Sequence, residues 1–350
     1  MWPRFTVYDL RVIGHYMGTL IMFSSVMYLV PFVLGLVCME WEPAARYLLT
    51  GGLCFCAGAL LRFLRIEPGR LNRQQAMVVT GMSWIILALF ASVPLYASGH
   101  FATYLDAVFD GVSGLTTTGA TVMLDIDHLS NADNMFRFML HFFGGLGLIV
   151  IALSFGLFKG AGASLYSSEG RSEHVMPNIL NTTQFIFRIA MGFIVASALV
   201  LFVMLLFAGM PVLRAGLHAI WISISGFLTG GFTPMSQSIM YYHSFPIELA
   251  LMIVMILGSL NFVLHLELWK GHLGTVFRDI EVRTMVLWLL ATCLIFSATL
   301  TTTSQFTELP AMLRRGVFLL ISAFSTTGFQ TITTNQLTTL LGSGAVLTLA

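Results

Sequence analysis

Long apolar blocks, closed by shorter polar or basic stretches, organise this chain. A helix that crosses a bilayer needs about 20 apolar residues, because the hydrocarbon core is about 30 Å thick and each residue rises about 1.5 Å. Blocks of that kind fall at about 12–38, 46–63, 76–98, 135–158, 184–209, 246–269 and 284–303, and an eighth begins near 338 and runs to Ala350. The second block is the weakest, with 15 uncharged residues between Arg46 and Arg62, so the sequence predicts that these arginines snorkel to help it span. Of the links, 62–73 is basic, with four arginines, whereas 99–134, 210–245 and 304–337 are long, rich in Gly and Thr, and still partly apolar. Aqueous loops do not need that apolar content.

Those three links share a pattern: SGLTTTGATV at Ser113–Val122, SGFLTGGFTP at Ser225–Pro234 and SAFSTTGFQT at Ser322–Thr331. Aligned on Gly119, Gly231 and Gly328, the copies stand 112 and 97 residues apart, a period that holds two spanning helices and the segment between them. Each copy follows a helix-compatible apolar run too short to cross a bilayer, at Tyr104–Gly114, Val212–Gly226 and Ala311–Phe324. The predicted unit is therefore an outer helix, a re-entrant half-helix, an extended Gly-containing loop and a return helix. The chain divides into two N-terminal helices with a basic link (1–73), a first repeat (74–183), a second (184–283) and a third (284–350) that stops within its return helix.

Irregular backbone at membrane depth leaves N–H and C=O groups unpaired unless it is enclosed by protein or lines a watery path. A dehydrated monovalent cation can use such carbonyls in place of its hydration shell. Glycine tolerates the positive φ that re-aims successive carbonyls, Thr hydroxyls add uncharged ligands, and half-helix C-termini bring partial negative charge. The loops 115–121, 227–233 and 325–331 hold no Asp, Glu, Lys or Arg, so a carboxylate filter is excluded. Asp106, Asp110, Asp125, Asp127 and Asp133 flank the first loop, and two readings of them stay open: a mouth that concentrates cations, or solvated charges and helix caps.

Composition and charge agree with a membrane-embedded chain. Of 350 residues, 57% are hydrophobic and 9% charged, with a mean hydropathy of +0.86, which is too little charge to cover a soluble globule of this size. A soluble enzyme, a nucleic-acid binder and a disordered chain are excluded. With the N-terminus inside, twelve basic residues (Arg4, Arg11, Arg62, Arg65, Arg70, Arg73, Lys159, Arg171, Arg188, Lys270, Arg278 and Arg283) face the cytoplasm and five (Arg46, Arg137, Arg214, Arg314 and Arg315) face outward. That orientation puts all three Gly/Thr stretches on the external side. Cys38, Cys54, Cys56 and Cys293 read as small buried hydrophobes, and the first apolar run is too long, and lacks the small-residue site, for a cleaved signal peptide.

The loops, above all LTTTGATV at Leu115–Val122, resemble the filter loops of the Trk/Ktr/HKT superfamily of potassium transporters, in its TrkH/TrkG-type membrane subunits. HFFGGLGLIVIAL at His141–Leu153, GSLNFVLH at Gly258–His265 and the two extra leading helices add to the resemblance, which covers about residues 10–350. It implies an all-α polytopic membrane protein whose repeated membrane–pore–membrane units surround a pseudo-fourfold pore in a bacterial cytoplasmic membrane. It implies potassium uptake without a cofactor, a homodimer, and a cytoplasmic nucleotide-binding regulatory ring of the TrkA type. By position, the ligating residues it implies are Thr117, Thr118 and Gly119; Thr229, Gly230 and Gly231; and Thr326, Thr327 and Gly328. The second loop is the loosest match, and no fourth loop is present, so the chain is expected to be either a fragment or a naturally short product. The family's gating elements would lie beyond Ala350.

Two other classes of function were weighed. Broken helices also occur in alternating-access transporters, but those commonly carry intramembrane charges, which are scarce here. For an enzyme, the densest polar group is His265, Glu267 and His272, whose spacings of two and seven do not suit ligands on one helical face. G-x-S-x-G and P-loop motifs are absent.

Overall fold

In the computed structural model, residues 6–63, 71–154, 157, 162–169, 179–302 and 309–332 are described, and among them there is no strand. The expected eighth span and the basic residues Arg4, Arg65, Arg70, Lys159 and Arg171 lie outside the described residues. The chain divides into two compact units.

The first unit comprises residues 1–116 and 120–190. Helix α1 (Val7–Ser24) starts on a reciprocal capping box between Thr6 and Asp9, and continues after a break at Ser25 as α2 (Val26–Val37), the two forming one apolar span of 31 residues. Then come α3 (Trp41–Arg62), α4 (Arg73–Tyr96), boxed by Asn72 and Gln75, and the half-helix α5 (Tyr104–Leu115), boxed by Thr103 and Asp106. The return helix, predicted as one block, is two: α6 (Asn131–Leu146) and α7 (Leu148–Ser154), bent by 78° at Gly147, whose φ of 86° stops the first helix. The short α8 (Gly162–Ser168) follows, bonded to α4 through Ser168 and Thr80 at 2.6 Å. Helix α9 (Ile179–Phe207) begins in this unit and ends in the next.

The second unit comprises residues 117–119 and 191–350. It holds the half-helix α10 (Val212–Phe227), then α11 (Phe245–Ser259) and α12 (Phe262–Trp269), bent by 109°. The bend has a local cause: Leu260 is extended, and the Asn261 side chain accepts from the Val263 N–H at 2.9 Å to start a new helix. Then follow α13 (Leu273–Arg278), α14 (Ile280–Thr302) and the half-helix α15 (Leu309–Phe324). Its core gathers Leu205, Ile222, Leu251, Met255, Phe318 and Phe329.

Side chains are sorted as a membrane requires. Helix α3 buries Ala44, Tyr47, Thr50, Cys54 and Gly58, one stripe of mostly small residues, and turns Leu48, Leu49, Leu53, Phe55 and Leu60 outward. Where lipid is as apolar as Leu, small residues that let backbones approach are what helices bury against each other. Among the described residues, four helices are long and apolar enough to cross a membrane, or up to six if each bent pair is one span.

Two sequence expectations are corrected here. Arg46 does not snorkel: its guanidinium lies 2.8 Å from Asp133 Oδ2 and donates to the Ala97 carbonyl, while Tyr47 donates to Asp133 Oδ1 at 2.6 Å. A buried carboxylate needs such partners, and that need outweighs reach toward water. Of the cysteines only Cys54 is buried; Cys56 is exposed, because two residues along a helix turn it to the opposite face.

Candidate functional site

Two of the three half-helices, α10 and α15, close through the same pair of hydrogen bonds. At α10, the Thr229 N–H donates to Gly226 O at 3.3 Å and the Gly230 N–H to Ser225 O at 2.7 Å. At α15, the Thr326 N–H donates to Ala323 O and the Thr327 N–H to Ser322 O, both at 2.9 Å. This paired closure is a Schellman motif, which satisfies carbonyls orphaned at a helix end and requires a left-handed residue just past the cap. That residue is Thr229 or Thr326, with φ of 49° and 57°, and at the end of α5 Thr117 takes the same left-handed conformation, with φ of 53°. Position for position, two residues later, Gly119, Gly231 and Gly328 take φ of 76°, 83° and 82°. A β-branched residue at positive φ is uncommon and costs about 1–2 kcal/mol, so three in register make a shared conformation, not scatter.

The loops also meet. Thr117–Gly119 belongs to the second unit together with the other two loops. A Cβ on Gly119 would collide with the Gly230 carbonyl oxygen and lie 2.9 Å from Gly231 Cα. A Cβ on Gly231 would collide with the Thr327 carbonyl oxygen and lie 3.4 Å from Gly119 Cα. The glycine of one loop thus sits against the middle carbonyl of the next, and the same contact recurs at the following step. A head-to-tail contact repeated in one sense is what a rotational arrangement produces. All nine residues expected at the site lie on these three segments. Thr327 is fully buried, Gly230 buried, and Thr118, Thr326 and Gly328 exposed.

The return helices support the loops from behind. A Cβ on Gly144 of α6 would collide with the Leu115 carbonyl oxygen, and one on Gly258 of α11 with that of Phe227. Leu115 and Phe227 are the last residues of their half-helices, so two repeats brace the same point with a glycine-backed helix. Gly144 and Gly258 lie in the two stretches, 141–153 and 258–265, that resemble the family.

Other expected groups are placed differently. Of the five aspartates, Asp110 and Asp133 are buried and Asp106 caps α5, so none of these three forms a solvated mouth. Asp125 is exposed; slight desolvation raises its pKa, but hydrogen bonds from His128 outweigh this and hold its carboxyl below the usual range. The His265 group does not assemble. Glu267 pairs with Lys270 at 3.2 Å and His272 at 2.9 Å, while His265 is buried among the rings of Phe193, Phe227 and Phe262. Among the described residues no cluster of three or more His, Cys, Asp and Glu could hold a metal. Sequence reasoning missed the left-handed threonines and the burial of Asp110 against Arg137, at 3.7 Å.

A family model described as "TrkH: Cation transport protein" matches residues 44–347. The chain belongs to the TrkH family. It is 30% identical over 295 residues to the Trk system potassium uptake protein TrkG of Escherichia coli (strain K12), covering 82% of this chain and 59% of that protein. It is 32% identical over 334 residues to the Trk system potassium uptake protein TrkH of Halomonas elongata, covering 92% and 66%. The crystal structure of the potassium transporter TrkH from Vibrio parahaemolyticus superposes with a TM-score of 0.75 at 26% identity, covering 92% of this chain and 66% of that one. The chain therefore spans 59–66% of these relatives' length. TrkH-family proteins are cation transporters, and the enzyme reading is set aside on that ground.

Proposed function

We propose that the full-length protein takes up potassium across the cytoplasmic membrane through a filter built from main-chain and hydroxyl oxygens of Thr117, Thr118 and Gly119, Thr229, Gly230 and Gly231, and Thr326, Thr327 and Gly328. One observation carries the reading: three uncharged loops share one backbone conformation and abut through a repeated contact from glycine to carbonyl. Such loops offer a dehydrated cation oxygen ligands without fixed charge, and the negative ends of the preceding helix dipoles favour the cation. Two relatives bearing the name Trk system potassium uptake protein support potassium as the cargo. No cofactor enters the scheme.

The finer parts belong to the same proposal. The excess of basic residues on one set of links supports a cytoplasmic N-terminus. The family resemblance supports a fourth loop in the full-length protein, a homodimer and a TrkA-type regulatory ring on the cytoplasmic links. The test is rubidium and potassium uptake by uptake-deficient cells carrying the full-length protein or its Gly119→Ser variant. A serine side chain at Gly119 has to displace the Gly230 carbonyl. The expected result is lost flux or a lowered potassium-to-sodium ratio at unchanged membrane abundance; wild-type selectivity and flux in the variant would overturn the reading.

A further inference from the structure

The third loop is held by the stretch of chain that follows the second. Past the second loop the chain forms a short 3₁₀ helix, Ser238–Tyr242. Ser238 Oγ accepts from the Gln330 N–H at 3.0 Å, and the Met240 N–H donates to the Gln330 carbonyl at 3.3 Å. Both main-chain polar groups of Gln330, two residues beyond Gly328, are thus bonded to this turn. The turn is itself fixed: Tyr242 Oη lies 2.9 Å from His218 Nδ1 on α10, and Ile239 belongs to the same apolar core as Phe329, the neighbour of Gln330. Farther along, Glu248 of α11 accepts twice from the Arg314 guanidinium of α15, at 2.6 and 2.7 Å. Residues 238–248 therefore clasp both the third half-helix and the exit of its loop.

The other two loops are fastened differently. In register with Gln330 stand Thr121 and Thr233. The Thr121 hydroxyl accepts from the Met123 N–H at 3.3 Å, and the Thr233 hydroxyl donates to the Met235 carbonyl at 3.0 Å, bonds that stay within each loop. The bond that crosses from one loop to the next has a cost. Ser238 takes φ of 54°, a left-handed conformation that residues with a side chain rarely adopt. Glycine would take that φ without penalty, but glycine has no hydroxyl to offer Gln330.

We infer that Ser238 is a positioning residue: its hydroxyl fixes the exit of the third loop and thereby sets how well the pore discriminates between potassium and sodium. The inference rests on the proposed filter function. Where carbonyl oxygens replace a cation's hydration shell, shifts in their spacing change the ligand field that the cation meets. Two residues of extended chain span about 7 Å at most, so releasing the Gln330 N–H frees the loop within reach of the Gly328 carbonyl. The strain at Ser238 is the local cost of holding that point.

The test uses the full-length protein and three variants, read by thermal midpoint, amide exchange at Gln330 and the potassium-to-sodium uptake ratio corrected for membrane abundance. Ser238→Gly deletes the hydroxyl and relieves the strained φ. Its thermal midpoint is expected to hold, while the uptake ratio falls about fivefold, the equivalent of one neutral hydrogen bond, and Gln330 exchange speeds by a similar factor. Ser238→Ala deletes the hydroxyl and keeps the strain, so it should show the same fall in ratio and the same faster exchange with a lower thermal midpoint. Ser238→Thr keeps the hydroxyl; ratio and exchange should stay at wild-type values even as the β-branched side chain lowers the midpoint. A merely structural role would make the ratio follow stability, unchanged in Ser238→Gly and lowered in Ser238→Thr, and that result overturns the inference. Wild-type Gln330 exchange in Ser238→Ala overturns it as well. If the wild type itself fails to take up potassium, the filter reading falls and the inference with it, whereas a selective wild type whose ratio survives both Ser238→Gly and Ser238→Ala overturns the inference alone.

Discussion

Replacing Gly231 by Ala imposes two separable costs. The residue sits at φ 83°, where an L side chain costs about 1–2 kcal/mol. Its new Cβ would also overlap the Thr327 carbonyl oxygen of the adjoining loop, so the two loops must part by about an ångström before ordinary contact is restored. The first cost falls on stability alone. The second falls on the spacing of oxygens that would replace a cation's water, where a displacement of about 1 Å can cost about a hundredfold in function. Gly209 and Gly271 provide the control: their φ values are 85° and 78°, but a Cβ on either meets nothing within 4 Å among the described residues. Gly209→Ala and Gly271→Ala should therefore lower thermal stability of the purified full-length protein by about 1–2 kcal/mol and leave the potassium-to-sodium ratio unchanged. Gly231→Ala should lose a similar amount or more of stability and, in rubidium uptake corrected for membrane abundance, at least about tenfold of flux or selectivity. If Gly231→Ala matches Gly209→Ala in uptake and ion ratio, the contact between loops does not govern conduction and the reasoning fails.

Two further outcomes follow from the same geometry. Thr229→Gly removes a left-handed β-branched residue from the end of α10, so the thermal midpoint should hold or rise, since relief of about 1–2 kcal/mol outweighs the added entropy of glycine; a loss above about 1 kcal/mol would show that the threonine side chain stabilises the loop beyond its backbone. Asp133→Ala leaves Arg46 and Tyr47 without their shared acceptor and should cost about 3–5 kcal/mol at most, whereas Asp133→Asn with Arg46→Gln should recover part of that, and a double-mutant cycle by thermal unfolding that gives no coupling would refute a structural role for the pair.

How far the sequence carries depends on which force decides each feature. The repeat was legible because three loops with one backbone conformation carry the same small and hydroxylic residues, so Gly119, Gly231 and Gly328 could be aligned without any structure. The seven apolar blocks have helical counterparts because bilayer thickness fixes their length. The bends at Gly147 and Leu260 were hidden: apolar content continues through both, and hydropathy carries no information on φ. The aspartates were ambiguous for another reason. Asp106 and Asp110 stand one turn apart on the same helix, yet one caps it and the other is buried against Arg137, a difference that exists only once α6 has packed. His265 and Glu267, two residues apart, were legible as unsuited to one helical face, and helical rotation does separate them: His265 is buried while Glu267 pairs with Lys270 and His272.

The left-handed threonines argue most directly from strain to purpose. A half-helix that needed only to end would place glycine at the residue past its cap, where glycine carries no Cβ penalty. This chain uses glycine freely two positions later, at Gly119, Gly231 and Gly328, and keeps threonine at the cap position in all three copies. Each threonine raises the cost of the loop by about 1–2 kcal/mol in a protein class whose whole stability is about 5–15 kcal/mol. Three such costs in register are hard to account for by folding, since the Schellman hydrogen bonds would form equally well around glycine. What threonine adds is a hydroxyl oxygen and a stiffer backbone beside the point where the loops meet. Both would serve the proposed cage, in which a bare cation is held at fixed distances, and neither is needed for a turn.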